Sequence, residues 1–400
     1  MKWNMTPVPT GLGNSNHENS RTAGTQAATI AFTQLGDEPA ALVIVYSSAR
    51  YDLEQLLSGV RSVTGPTPLI GATTHGHFFD GQFVAPDTGV VVLVISQGSY
   101  TFSFGSATGM VGDPVGTGKE LARAAKSSAR WAEPPPHAVL LLLSCGRTGD
   151  QQQLLNGIHR VLGAAVPVVG GASAVDRPQL PTAVFHDDRV LHDSAVGVLI
   201  GSHEPLRVVR GHGWRAHGLP QLVTDTEGNL VRSISGRPAY DVVEEALRET
   251  AAERGETPGE EGSDGVVRLG GRGRCFGIIE PDGSHLLRGG ILTEDRQIQT
   301  WAPLPAYSSI QMMSCTQDSL LDVCDQIAQE ATAGPDAGLL LVFGCVARCE
   351  ILGSRVTEEA TRLQNAAGQV RTIGFYTYGE FARTVSALGF HNATITGLAL

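Results

Sequence analysis

Lysine is almost absent from this 400-residue chain, cysteine is sparse, and no apolar run approaches the roughly 18 residues that a membrane-crossing helix needs. Its basic charge is therefore carried by arginine, whose forked, permanently charged head suits carboxylate and phosphate groups. A positive excess is also missing: the formal net charge is -11 and the pI near 5.5, so nucleic acid and anionic membranes are not expected partners. The six cysteines (Cys145, Cys275, Cys315, Cys324, Cys345 and Cys349) are too few for a disulfide scaffold and are read as reduced thiols. Cys345 and Cys349 have no second cysteine pair at finger-like spacing, so no metal is expected. The opening MKWNMTPVPTGLGNSNHENS is polar and has no apolar core of signal-peptide length, which makes a cytoplasmic location the expectation.

What the chain has is 42% hydrophobic against 17% charged residues, enough to bury cores in two or three domains. Short apolar strands alternate with amphipathic helices, which predicts an α/β fold of mixed β-sheets flanked by helices. Residues 1–22 read as a flexible tail, and the acidic, Gly-rich stretch 249–265 reads as a mobile insertion without the apolar periodicity that packing requires.

One strand-helix-strand unit occurs three times. ALVIVYSSAR (41–50) leads through a helix to LIGATTHGH, ending at His77; AVLLLLSCGR (138–147) leads to VVGGASAVD, ending at Asp176; GLLLVFGCVAR (338–348) leads to TIGFYTYGE, ending at Glu380. An arginine follows each first strand (Arg50, Arg147, Arg348), and each second strand passes a glycine, then a hydroxyl (Thr74, Ser173, Thr377), then the polar end residue. The connecting helices gather Leu53, Leu56, Leu57 and Val60, or Leu154, Leu155, Ile158, Val161 and Leu162, on one face. A further helix is expected to start at Pro238, and the stretches LVTDTEGNLVRSI and FGIIEPDGSHLL read as hairpins.

A right-handed strand-helix-strand crossover brings both strand ends to one edge, so the arginine turn and the glycine turn are expected to share a crevice. In the third unit that places Arg348, a bidentate partner for a carboxylate, opposite Glu380, an acceptor for an ammonium. Tyr376 and Tyr378 would be walls, Cys345 and Thr377 would lie beside them, and the closing strand would deliver His391 and Asn392. A helix after Arg348 would add backbone donors. Arg348 and Glu380 pairing with each other, as a purely structural device, is the alternative. The first-half counterpart is Thr74, His77, Ser144, Cys145, Arg147, Ser173 and Asp176. Cys345 is either an inert buried thiol or, paired with His391, the nucleophile of a cysteine-dependent hydrolase or transferase, and this leaves enzymatic activity open. GMVGDPVGTGKE is not a P-loop, since Asp113 stands where the first glycine belongs and Glu120 where Ser or Thr belongs. That stretch reads as the start of a helix.

These segments resemble the FIST family. The likeness is carried by LIGATTHGHF and VPVVGGASAVDR in the first half, and by GLPQLVTDTEGNLVRSISGRPAYDVVEEAL, FGCVARCEILG, IGFYTYGEFAR and FHNAT in the second. It departs at His75 and His77, where the family more usually shows small and acidic residues. The resemblance implies two related domains, FIST N over 23–204 and FIST C over 205–400. It implies a sensory protein that binds a small ligand, such as an amino acid or another carboxylated metabolite, and signals to a separate partner. It also implies an alternative, a haem-binding nitric oxide sensor acting on a histidine kinase, with His391 as the candidate haem ligand.

Overall fold

The computed structural model describes residues 7–129, 133–254, 267–270, 273–293, 295–334, 337–383 and 388–400. The first unit runs β1 (Thr10–Ser15), α1 (Ser20–Leu35), β2 (Ala40–Ser48), α2 (Leu53–Thr64), β3 (Leu69–Thr74), a hairpin β4 and β5 (His77–Phe79, Gln82–Val84), then β6 (Val90–Ser96). The second repeats it as β7 (Thr101–Thr108), α3 (Pro114–Ser128), β8 (His137–Cys145), α4 (Gln151–Leu162), β9 (Val168–Ser173), a hairpin β10 and β11 (Val184–His186, Arg189–Leu191), then β12 (Ser194–Ser202).

The third unit opens with β13 (Arg207–Gly211) and is interrupted by an inserted sheet. This comprises β14 (Arg215–Glu227), β15 (Leu230–Ile234), β16 (Arg237–Pro238), the helix α5 (Ala239–Arg254), β17 (Val267–Leu269), β18 (Arg274–Ile279), β19 (His285–Arg288), β20 (Gly290–Leu292), β21 (Ile298–Thr300) and β22 (Ser309–Ser314). The unit resumes with α6 (Gln317–Thr332), β23 (Leu339–Cys345), α7 (Val346–Leu352), α8 (Val356–Ala367), β24 (Arg371–Thr377), a hairpin β25 and β26 (Glu380–Arg383, Phe390–His391), and β27 (Ile395–Ala399).

Local chemistry explains these boundaries. Asn19, Asp52, Asp113 and Asp150 cap α1 to α4 through their side chains, Pro114 opens α3, and Thr316 and Ser319 form a capping box on α6. The strands β6, β12 and β23 are buried throughout, as their unbroken apolar runs require.

Each unit builds one six-stranded sheet, and the three sheets share one order: β1-β6-β2-β3-β10-β11, β7-β12-β8-β9-β25-β26, and β13-β27-β23-β24-β4-β5. The pairs β2/β3, β8/β9 and β23/β24 are parallel, with the closing strand antiparallel to the first of each pair. The last two places in every sheet are filled by another unit's hairpin. The first unit lends its hairpin to the third, the second to the first, and the third to the second, which closes a cycle. Inner faces of all three sheets meet in one core, where Tyr46 lies 4.6 Å from Phe375 and Phe343 lies 5.7 Å from the same ring. The helices pack outside.

The glycine corners meet at the axis of this cycle. The Ala174 amide donates to Thr73 O (3.0 Å), the Tyr378 amide to Ala172 O (3.0 Å), and the His75 amide to Tyr376 O (3.3 Å).

Three expectations change. Within 1–22, Thr10–Ser15 is β1, an edge strand paired with β6, and α1 starts at Ser20; residues 1–6 lie outside the described residues. Its sequence TGLGNS carries little apolar signal because glycines let it lie against α1: a Cβ on Gly11 would sit 1.8 Å from Ala31 O. Residues 249–254 belong to α5, and the remainder of the expected insertion, 255–265, lies outside the described residues. The helix expected directly after Arg348 starts before it: α7 begins at Val346 and holds Arg348 inside it, and α8 follows from Val356.

Candidate functional site

A cavity of about 900 Å³ lies between the glycine corners and the inserted sheet. His75, Arg147, Asp176, Cys345, Thr377 and Tyr378 line it from the three units, and Gly289, Trp301 and Pro303 from the insertion. Asp176 is there because its unit breaks the repeat. After Thr74 and Thr377 the chain enters a hairpin within three residues and buries His77 and Glu380, whereas β10 begins only at Val184. Asp176 is thus left half-buried at the cavity.

Its Oδ2 accepts the Ser48 hydroxyl (2.5 Å), while Oδ1 is buried without a hydrogen-bond partner. Burial pushes this carboxyl up from its ordinary range, against the pull of Ser48, the Asp87 backbone and His75. Arg147 donates to Pro178 O and to the Tyr378 hydroxyl (3.2 Å), and its guanidinium lies 5.1 Å from the Tyr378 ring centroid. Among the described residues it meets no carboxylate. His75 donates from Nδ1 to Val175 O (3.1 Å).

Beneath the cavity, Glu380 accepts the Thr377 hydroxyl (2.6 Å) and the Thr394 amide (3.2 Å). Burial raises its carboxyl to about 8, opposed by these bonds, a Cys345 hydrogen bond and the Arg348 charge. The Cys345 thiol is pushed well above its ordinary value by burial, and Glu380 adds to the shift. A protonated thiol is a poor nucleophile.

Cys345, Thr377, Tyr378, Asn392, Arg147 and Asp176 therefore share one cavity, with Glu380 behind it. Arg348 does not join them. It is fully buried among α6, α7 and α8, donating to Glu359 Oε2 (2.8 Å) and Leu320 O (2.9 Å), and it lines neither cavity. Its partner is not Glu380 but Glu359, one turn into α8. Strand alternation turns Tyr376 away from Thr377 onto Phe78 and Phe83, so only Tyr378 is a wall.

His391 sits opposite Glu380 in the β25–β26 register but faces a second cavity, with Nε2 donating to Ala382 O (3.0 Å). Burial lowers it to about 3, with the Arg210 charge adding. Thr74 and His77 are fully buried and lie 3.3 Å apart; burial also lowers His77 to about 3. Ser144 donates to Gln151 (2.8 Å), Cys145 points to Leu191 O (3.5 Å), and the buried Ser173 hydroxyl has no partner. These last five residues line neither cavity. The insertion's Gly289, Trp301 and Pro303 were missed by the sequence reading. The one available signal was Trp301 within the polar stretch QIQTWAP.

A haem ligand must present a free ring nitrogen, with its other nitrogen oriented by an acceptor. His391, with Nε2 on Ala382 O, borders the smaller second cavity and not the central one. His75 fits, since Nδ1 is held by Val175 O and the ring borders the cavity.

Residues 41–237 match the FIST N domain and residues 239–383 the FIST C domain, so the chain belongs to the FIST family. The FIST domains are associated with signal transduction and small-ligand sensing. The two matches meet inside the inserted sheet, whereas the second and third units divide between β12 and β13. An uncharacterized protein of Mycobacterium tuberculosis is 25% identical, covering 96% of this chain and 97% of its own length. One from Methanocaldococcus jannaschii is 26% identical over 52% of this chain and 41% of its own. The crystal structure of a cyanuric acid hydrolase from A. caulinodans covers 98% of this chain and 99% of its own at a TM-score of 0.38 and 9% identity. Among the described residues, no helix is long and apolar enough to cross a membrane.

Proposed function

We propose that this protein is a sensor whose central cavity takes a small molecule bearing a carboxylate and an ammonium, an amino acid being the simplest, and that it signals to a separate partner such as a histidine kinase. One observation carries the reading: Arg147 and Asp176 border the same cavity, the first without a carboxylate and the second with an unpartnered oxygen. An exposed arginine and a half-buried carboxyl that line one cavity without satisfying each other favour a ligand that satisfies both. The volume of about 900 Å³ suits a metabolite-sized guest.

Thermal-shift and calorimetric screening of amino acids and other carboxylated metabolites tests the reading. At least one should stabilise the protein saturably, with the response lost in Arg147→Gln and in Asp176→Asn. No response across the set, or full response in both variants, rejects it. His75 supports a second reading, haem in the same cavity; a Soret band in the purified protein that disappears in His75→Ala favours that instead.

A further inference from the structure

A second cavity, of about 450 Å³, opens where β13, β14, β19 and α6 meet. Arg210, Arg215, His212, His285 and His391 line it, with Asp322 as the carboxylate among the lining residues. We propose that this cavity is a separate binding site for a small molecule bearing an oxyanion group, phosphate or carboxylate, held by Arg210 and Arg215 with His212 as a further donor.

The polar groups are arranged as donors. His212 Nδ1 accepts the Trp214 amide (2.9 Å), so the neutral ring carries its proton on Nε2. Arg215 is exposed and has no ion-pair partner among the described residues. Arg210 donates to Ser284 (3.2 Å) and pairs at 3.8 Å with Asp282 Oδ2, whose other oxygen accepts the Ser284 amide (2.9 Å) and hydroxyl (2.6 Å). Asp322 is committed to Arg362 (3.0 Å).

The lining thus holds two arginines against one carboxylate, Asp322, within a chain of formal charge -11. His212 and His391 register it. Burial first, then His285, Arg210 and Arg348, lower His212 to about 4; burial first, then Arg210, Arg288 and His212, lower His391 to about 3. Arg348 is balanced by Glu359; Arg288 bonds carbonyl oxygens, has one buried nitrogen without a partner, and feels the Glu280 and Asp150 charges. An anion in the cavity relieves that mutual repulsion and favours protonation of the histidines, so binding takes up protons. The site is distinct from the central cavity, because the segment 390–394 forms a partition. Phe390, Asn392 and Ala393 face the central cavity, and His391 and Thr394 face this one.

The test uses the full chain at fixed ionic strength, with inorganic phosphate and acetate as separate probes followed by calorimetry and by the His212 ring resonances. Saturable binding of either probe, proton uptake, and movement of His212 support the site, and the preferred probe identifies the group recognised. Arg210→Gln with Arg215→Gln should weaken binding at least about tenfold. Arg207→Gln, on the same strand but outside the cavity, should change it by less than about twofold. Acetate affinity should rise as pH falls from about 7 toward about 6, a window in which acetate itself stays ionised. No saturable binding of either probe, an unmoved His212 at saturation, or equal loss in Arg207→Gln overturns the proposal. The His212 readout uses the unaltered chain and so does not depend on the variants folding.

Discussion

At the scale of single residues, Asp176 and Glu380 hold equivalent places in the repeat yet differ in chemistry because their surroundings differ. Glu380 is carried into a hairpin and fully buried, which raises its carboxyl from an ordinary 4.5 to about 8. The folded state then binds more protons than the unfolded one between those values. Its contribution to stability is complete below about 4.5 and is lost as pH rises through about 8. His77 and His391 act in the opposite sense. Burial drops both from 6.5 to about 3, so their contribution is complete above 6.5 and is lost as pH falls toward 3. We expect Glu380→Gln, which keeps the shape but not the charge, to flatten the fall in melting temperature between about pH 5 and pH 9. Calorimetry giving the parent profile in that variant would contradict a buried titrating carboxyl. The sequence showed Arg348 and Glu380 as opposite charges at corresponding turns. It did not show that Glu359 would reach Arg348 first, since that pairing depends on how α8 folds back over α7.

At the scale of elements, the helix pairs of the first two units pack through glycines rather than through large side chains. A Cβ on Gly24 would lie 2.3 Å from Leu56 O, on Gly59 2.1 Å from Arg21 O, on Gly118 2.2 Å from Leu154 O, and on Gly157 2.2 Å from Val115 O. This explains the GTGKE stretch, a helix contact where the motif search found no phosphate loop. In the third unit α6 and α8 contain no glycine, and Arg362 links them through Asp322 (3.0 Å) and Asp325. Gly118→Val should cost about 1–3 kcal/mol by overpacking, read as a lower urea midpoint at unchanged slope. Gly112→Ala, with open space around its Cβ, should change stability by less than about 0.5 kcal/mol. Equal midpoints for the two variants would refute close helix contact. The strands and the apolar faces of α2 and α4 were legible because period and capping are local, and the helix expected at Pro238 begins one residue later. β1 was not legible, since two glycines and an asparagine give an edge strand no alternation to read.

At the scale of the whole molecule, the cyclic loan of hairpins means that no sheet is completed by its own unit. Sheet β8/β9 needs β25 and β26 from the carboxy-terminal end, and the hairpin β4/β5 has its docking strand only in β24. A fragment ending at residue 204 should therefore lack a cooperative melting transition, while the full chain shows one. A sharp transition and dispersed amide spectrum from the fragment would disprove this interdependence.

The sequence by itself determined the three repeated units, their α/β character and the polar corners that close each second strand, because strand period, helix faces and glycine turns are written within some forty residues of chain. Only the tertiary structure decided which corners share a cavity, that Arg147 and Asp176 rather than Arg348 and Glu380 border it, and that His391 looks into another cavity. Those outcomes rest on contacts between units far apart in the chain, which no local pattern encodes.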